Sequence, residues 1–236
     1  MSSAPPSKSP SVEVLIQGLG ARVNGITLAI STVALVHADV GTILIDTGMH
    51  HTRPTVLERL SERGLSPSDI DVLVLTHLHF DHADNAALFP HCRRIVHEAE
   101  IKEAETYPDR DWGLSDHWRD TIAVPTLDVM TGDEMGLATG VTLHHLPGHR
   151  WGMIGVAVET GSETVFCGSD VAKNAREMLL GTPTPSDPDY LEIGRRSIAR
   201  MLELSDVIIS GHDRPVRIVD GVPTWDEDLP MALSIY

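Results

Sequence analysis

Hydrophobic residues recur along this chain in short runs, each closed by a turn residue. Positions 12–17, 32–37 and 42–46 are β-branched or apolar, and the last runs directly into Thr47-Gly48. Runs of this length with glycine punctuation predict strands of a sandwich or mixed sheet. Over 53–63 the spacing turns helical, with Val56, Leu57 and Leu60 on one side and Gly64 as a C-terminal stop. Ser66-Pro67-Ser68 then leads into 71–76 (DVLVLT), apolar enough for a buried strand. A short helix over 82–88 ending near Pro90, a strand over 94–97 and a helix over 98–105 follow. Residues 107–125 have no clear period and read as an irregular or loosely helical insertion, a kind of segment that is often functional.

A second set of strands is expected over 141–146, 154–159 and 164–167, then a Pro-rich loop over 183–188. Leu191, Ile198, Met201 and Leu202 mark a helix over 190–204, and 206–210 (DVIIS) is a final buried strand ending at Gly211-His212. No repeat and no linker divides the chain. Residues 12–236 are therefore expected to form one domain, and the Ser/Pro-rich residues 1–11 a disordered arm. Strands and helices alternate in each half, which predicts an α/β architecture of two sheets sandwiched between helices.

Composition narrows the class. The chain has 236 residues, long enough for a core without staples, and its two cysteines, Cys92 and Cys167, form no disulfide framework. A reducing, cytoplasmic setting is the expectation, since the N-terminus carries no apolar signal-peptide core and no run approaches the ~20 residues that span a bilayer. The net charge of −16 disfavours broad contact with phosphate backbones or anionic lipid, so neither a nucleic acid nor a membrane is an expected partner. The unusual number is 13 histidines, which matters only if they cluster.

They do. Thr76-His77-Leu78-His79-Phe80-Asp81-His82 places four metal-capable side chains within six residues, directly after the buried strand. At this composition such a pattern arises by chance roughly a few times in a thousand. His77 and His79 point the same way in an extended segment, while Asp81 and His82 lie past the turn and face a second point. The spacing fits no single helix face, so a loop at the sheet edge is required. Three more strand ends carry a potential ligand in a small-residue turn: Leu146-Pro147-Gly148-His149, Gly168-Ser169-Asp170 and Gly211-His212. Five histidines and two aspartates suffice for two metals with one shared carboxylate. Imidazole and carboxylate without thiolate suit Zn²⁺, Mn²⁺ or Fe.

HLHFDH, LPGH, GSD and SGH, in this order and preceded by Asp46-Thr47-Gly48, resemble the metallo-β-lactamase fold superfamily over roughly residues 12–213. Within it the chain is similar to N-acyl-homoserine lactone lactonases, through Asn85-Ala86-Ala87-Leu88-Phe89-Pro90 and His97-Glu98-Ala99-Glu100. The resemblance implies an αββα sandwich. It also implies one metal on His77, His79 and His149, another on Asp81, His82 and His212, Asp170 bridging, and Asp46 orienting ligands from behind. Two departures bear on substrate. Lys173 stands where such lactonases have a tyrosine, either to stabilise an oxyanion or as a solvated lysine, and His149 continues into Arg150-Trp151-Gly152-Met153 where many relatives repeat PGH.

The implied activity is hydrolysis of a lactone, ester or thioester of a small molecule by a metal-bridging hydroxide, with two divalent ions, foremost Zn²⁺, as cofactors. Asp81 is the expected proton carrier and Lys173 a candidate catalytic group. Alternatives on the same ligands are a glyoxalase-II-like thioesterase and a metal-dependent nuclease or phosphodiesterase; a flavodiiron-type redox module would need a flavin domain that the chain lacks. A homodimer is a further possibility, since the resembled lactonases are often dimeric. Trp151, Met153 and 107–125 are candidate substrate walls, and His50-His51 could rim the pocket. His144-His145 point to opposite faces of a strand, and Cys167 reads as a small buried hydrophobe.

Overall fold

The computed structural model describes residues 9–106, 111–184 and 188–225. The chain opens with β1 (Ser11–Ile16), a hairpin of β2 (Leu19–Val23) and β3 (Ile26–Ile30), then β4 (Val33–Ala38) and β5 (Gly41–Ile45). Helix α1 (Arg53–Glu62), β6 (Val72–Val74), the one-turn α2 (Phe80–Ala83), β7 (Arg93–His97), α3 (Glu98–Thr106), α4 (Trp118–Ile122) and β8 (Leu127–Met130) follow. The second half runs β9 (Glu134–Ala138), β10 (Val141–His145), β11 (Ile154–Glu159) and β12 (Thr164–Ser169). It ends with α5 (Ala175–Leu180), α6 (Leu191–Glu203), β13 (Val207–Ser210), β14 (Val216–Val219) and β15 (Val222–Trp225).

Among the described residues these strands make a six-stranded sheet, β1-β4-β5-β6-β7-β8, and a seven-stranded sheet, β15-β14-β13-β12-β11-β10-β9, with β2-β3 as a separate ribbon. From β5 to β8 the first sheet is parallel, and β12 pairs β13 in parallel in the second. The strands read as continuous apolar runs because both faces are buried. Ile43, Ile45, Val72, Val74 and Ile95 meet Leu143, Val156, Cys167 and Ile209 between the sheets. Their neighbours Leu44, Leu73, Leu75 and Val96 face the other way, against Val56, Leu60 and Trp118 of the helices. On the far side, Phe166 and Ile208 pack on Met178, Ile198 and Met201. Period-two alternation thus serves two apolar layers per sheet, and the αββα sandwich expected from the sequence is the observed fold.

Several details differ from expectation. The helix expected over 82–88 is one α turn followed by a 3₁₀ turn, Ala86–Leu88. Between them the Asn85 amide donates to the carbonyls of Thr47 (3.0 Å) and Met49 (2.7 Å), tying this segment to the turn after β5. The β2–β3 ribbon was not expected, although Asn24-Gly25, with φ of 50° and 82°, carries a hairpin signal. Of the 107–125 segment, 107–110 lie outside the described residues, and Trp118–Ile122 is helical. The expected arm, 1–11, lies outside them through residue 8, and Ser11 already pairs with His37. The Pro-rich loop falls partly outside them, at 185–187. No helix among the described residues is long and apolar enough to cross a membrane.

Candidate metal centre

The seven expected ligands converge where β5, β6, β10, β12 and β13 end. Their ligand atoms form three overlapping groups, His77–His79–His149, His77–His82–Asp170 and Asp81–His82–His212, each within 4.8 Å and all buried. Asp170 stands between the outer two: its Oδ2 lies 3.3 Å from His149 Nε2, while its Oδ1 lies 3.3 Å from His212 Nε2 and 3.6 Å from His82 Nε2. Asp81 Oδ2 is 3.4 Å from His212 Nε2. Gly211 permits the approach, since a Cβ there would sit 2.0 Å from Asp170 Oδ1.

Each of the five histidines has one ring nitrogen held by an oxygen outside the centre. His77 Nδ1 is 3.1 Å from the Thr76 hydroxyl, whose proton goes to Asp46. His79 Nε2 donates to Asp111 (2.8 Å) and His82 Nδ1 to Asp46 (2.7 Å). His149 Nδ1 donates to the Thr184 carbonyl (3.0 Å) and His212 Nδ1 to that of Ile30 (3.0 Å). These bonds occupy one nitrogen of each ring and turn the second inward, where it is a lone pair whenever the ring is neutral.

The inward atoms test whether the residues fit a metal. His77 Nε2, His82 Nε2 and Asp170 Oδ1 are buried with no hydrogen-bond partner, an unfavourable arrangement for polar atoms unless something is to be bound. His79 Nδ1 and His149 Nε2 face each other at 2.9 Å, two lone pairs once their tautomers are fixed. A divalent cation between them removes both problems, and the donor set of imidazole and carboxylate suits zinc. The residues fit the group.

Electrostatics agree. Burial, then the neighbouring His82, His79 and His149, push His77 well below the ordinary histidine value; burial and Lys173 do the same to His149, so both favour the neutral, ligating form. Burial also opposes charge on His82, but Asp81, Asp46 and Asp170 outweigh it and hold the ring at about 9. Burial would raise Asp170, yet His212, His82 and Lys173 keep it well below the carboxylate range. Protons on His82 stand where a cation would otherwise balance three buried carboxylates.

Asp46 occupies the position behind the ligands expected of it. It takes a left-handed conformation (φ 58°) at the end of β5 and accepts from Thr76 N (2.8 Å), His82 Nδ1 and the Ser169 hydroxyl (3.1 Å). Ser169, likewise left-handed (φ 45°), bonds Thr76 Oγ1 at 2.9 Å, so three strand ends meet in one polar knot. Strain of this kind persists where the surroundings over-determine it.

A cavity of about 570 Å³ opens over the centre. Leu28 and Ala29 of the ribbon and Phe80 with Trp112 form its apolar lip, and Lys173 lies on its wall with Nζ 3.6 Å from Asp170 Oδ2. Met153 and Trp151 are not walls of it: Met153 is fully buried against Phe166 and Met201, and Trp151 rests on Tyr190 (5.1 Å). His50 lines a separate cavity. His144 and His145 do point apart, to Phe166 and to His97 respectively, and neither is a member of the ligand groups. Cys167 is buried in the core with its thiol pushed up to about 12 by burial and Asp46.

Sequence reasoning missed Asp111, Arg150 and Glu100. Asp111 sits in the segment without period, and Arg150 reads from sequence as a departure bearing on substrate; the structure instead buries it against Glu100 (3.0 Å), Glu103 (3.3 Å) and Asp111 (2.6 Å). The acidic pattern on α3 was the available signal, since two of its glutamates, Glu100 and Glu103, are buried.

Comparison with known proteins bears on the family and the fold. Metallo-beta-lactamase domain-containing protein 1 of Xenopus laevis is 30% identical over 220 residues, spanning 92% of this chain and 86% of its own. N-acyl homoserine lactonase AiiB of Agrobacterium fabrum is 38% identical over 121 residues, 46% of this chain and 42% of its own. The solved structure of an N-acyl homoserine lactone hydrolase, with N-hexanoyl-L-homoserine bound at its catalytic metal center, superposes with a TM-score of 0.69 at 21% identity over 88% of this chain and 94% of that one. The pattern of the metallo-beta-lactamase superfamily matches residues 26–212, and the chain belongs to that superfamily of metal-dependent hydrolases.

Proposed function

We propose that this protein hydrolyses a lactone, ester or thioester of a small molecule at a pair of divalent ions, foremost zinc. The observation that carries the reading is the double cluster at the floor of the open cavity, two three-ligand groups with Asp170 standing 3.3 Å from His149 Nε2 of one and 3.3 Å from His212 Nε2 of the other. His77, His79 and His149 would hold one ion, Asp81, His82 and His212 the other, and Asp170 both. When bound, such a pair supplies a hydrolytic water at neutral pH and withdraws electron density from the carbonyl oxygen.

The chain's own residues do the rest. Asp81 Oδ2 lies beside the His212 and His82 rings and would take the proton that the attacking water releases, then pass it to the leaving oxygen or sulfur. Lys173 Nζ, on the cavity wall, would donate a hydrogen bond to the oxygen on which charge develops. Leu28, Ala29, Phe80 and Trp112 favour an apolar group beside the scissile bond. The similarity to a lactonase over 46% of the chain supports the lactone arm, and the −16 charge weighs against a nucleic-acid substrate.

The test is a hydrolysis screen of acyl lactones, aryl esters, thioesters and phosphodiesters, with metal content measured on the same sample and His77→Ala and Asp170→Asn as controls. Turnover of carbonyl substrates that disappears with chelator and returns with Zn²⁺ or Mn²⁺ is expected. Activity in metal-free protein, or turnover of phosphodiesters alone, would overturn the reading.

A further inference from the structure

Behind the three-histidine face lies a second buried cluster that no catalytic step uses. Arg150 is 2% exposed and Glu100 fully buried. Arg150 Nε donates to Glu100 Oε1 (3.0 Å), its Nη1 donates to Asp111 Oδ2 (2.6 Å), and Glu103 lies 3.3 Å from Nε. Every member also touches the backbone or a side chain next to a proposed ligand. Glu100 Oε1 accepts from the N–H of Leu78, between His77 and His79, at 2.9 Å. Glu103 accepts from the N–H of Trp151, two residues after His149, at 2.8 Å. Asp111 Oδ2 accepts from His79 Nε2 itself, and its Oδ1 from the N–H of Gly113 at 2.9 Å. Gly152 closes the packing, because a Cβ there would meet Glu100 N at 2.1 Å.

The cluster is one-sided. Its hydrogen bonds reach His79 directly and the chain beside His77 and His149, whereas His82 and His212 are held by Asp46 and the Ile30 carbonyl. We propose that Asp111, fixed by Arg150, is a positioning residue for the three-histidine face: it locks His79 as the Nε2–H tautomer, which leaves Nδ1 free to ligate, and clamps the 77–79 segment to the 149–152 loop. Arg150 does this through its fork, holding a carboxylate on each side, a geometry that lysine cannot supply. The inference rests on the ligand reading above and assigns this chain's departure after His149 to metal positioning.

The experiment follows metal uptake and His79 together. Protein stripped with chelator is titrated with Zn²⁺ by calorimetry, and the ring tautomers are read by ¹H–¹⁵N correlation of the histidine side chains in the metal-free form. In wild type, two equivalents and an Nε2–H signal from His79 are expected. In Asp111→Ala, one equivalent should weaken by about 10- to 100-fold while the other is retained, and His79 should populate the Nδ1–H form. Asp111→Asn, close to isosteric, serves if the alanine variant fails to fold, and Arg150→Lys should weaken the same equivalent. Unchanged affinities with an unchanged tautomer would overturn the inference, and so would a loss of thermal stability without a change in either. Should wild type take up no metal, the ligand reading falls, and the tautomer of His79 still decides the role of Asp111.

Discussion

Replacing Asp46 by asparagine should loosen the whole floor of the centre, by an amount the structure allows to be worked out. Asp46 is 1% exposed and acts only as an acceptor, toward Thr76 N, the Thr76 and Ser169 hydroxyls and His82 Nδ1. Asparagine keeps one acceptor oxygen, enough for Thr76 N, and turns an NH₂ toward the remaining groups. The two hydroxyls can rotate to accept, but the His82 N–H cannot. Stranding one charge of a buried pair costs about 3–5 kcal/mol. Asp81 and Asp170 remain 3.6 Å from His82 Nε2 and offset part of that, so a loss below that range, about 2–3 kcal/mol, is expected. Backbone strain does not confuse the comparison, because asparagine tolerates the left-handed conformation at this position, whereas Asp46→Ala should lose about 1–2 kcal/mol more. Urea unfolding of chelator-treated protein at pH 7 measures this. A change below about 0.5 kcal/mol for Asp46→Asn would refute the claim that the carboxylate organises the site.

Three other perturbations test separate parts of the structure. Burial, with Glu100 adding to it against the opposing Arg150, pushes Glu103 from its ordinary 4.5 up to about 6; the folded state holds a proton that the unfolded chain has released, so this stability is present below 4.5 and lost as pH rises through 6. Urea unfolding should therefore show Glu103→Gln gaining on wild type between those values, by at most about 2 kcal/mol, and a pH-independent difference would refute it. Gly211→Ala puts a Cβ 2.0 Å from Asp170 Oδ1, so elemental analysis should find less bound metal, with a stability loss of about 1–3 kcal/mol. Lys173→Met should lower kcat by about 10²- to 10³-fold with metal content unchanged if Nζ meets the developing charge, and wild-type kcat would make it an ordinary surface lysine.

The seven candidate ligands were legible in the sequence because the fold presents them at strand ends, where a buried apolar run stops and a short polar turn begins. His77 through His82 declare themselves by spacing, and His149, Asp170 and His212 by following Pro-Gly, Gly-Ser and Ser-Gly. The layers were legible for the same reason, since runs such as 71–76 are apolar on both faces. Asp111 and Arg150 were not, because each joins the site through a partner distant in sequence and from segments with no period. Arg150 meets Glu100 and Asp111, 50 and 39 positions away, and no local pattern encodes such a meeting. The β2–β3 ribbon was missed despite its Asn-Gly turn because its exposed residues Ile26 and Leu28 give no core-facing stripe.

The lone-pair contact between His79 and His149 joins residues 70 positions apart and the two sheets of the sandwich. An ion seated there is a cross-link that forms only after both halves have folded and docked, and that an unfolded chain cannot reproduce. Mass action then makes the apparent melting temperature a gauge of free metal: at a concentration 100 times the dissociation constant, each site adds about 2.7 kcal/mol. The same protein would thus be sturdy in a metal-replete compartment and open to local unfolding, and to proteases, in a depleted one.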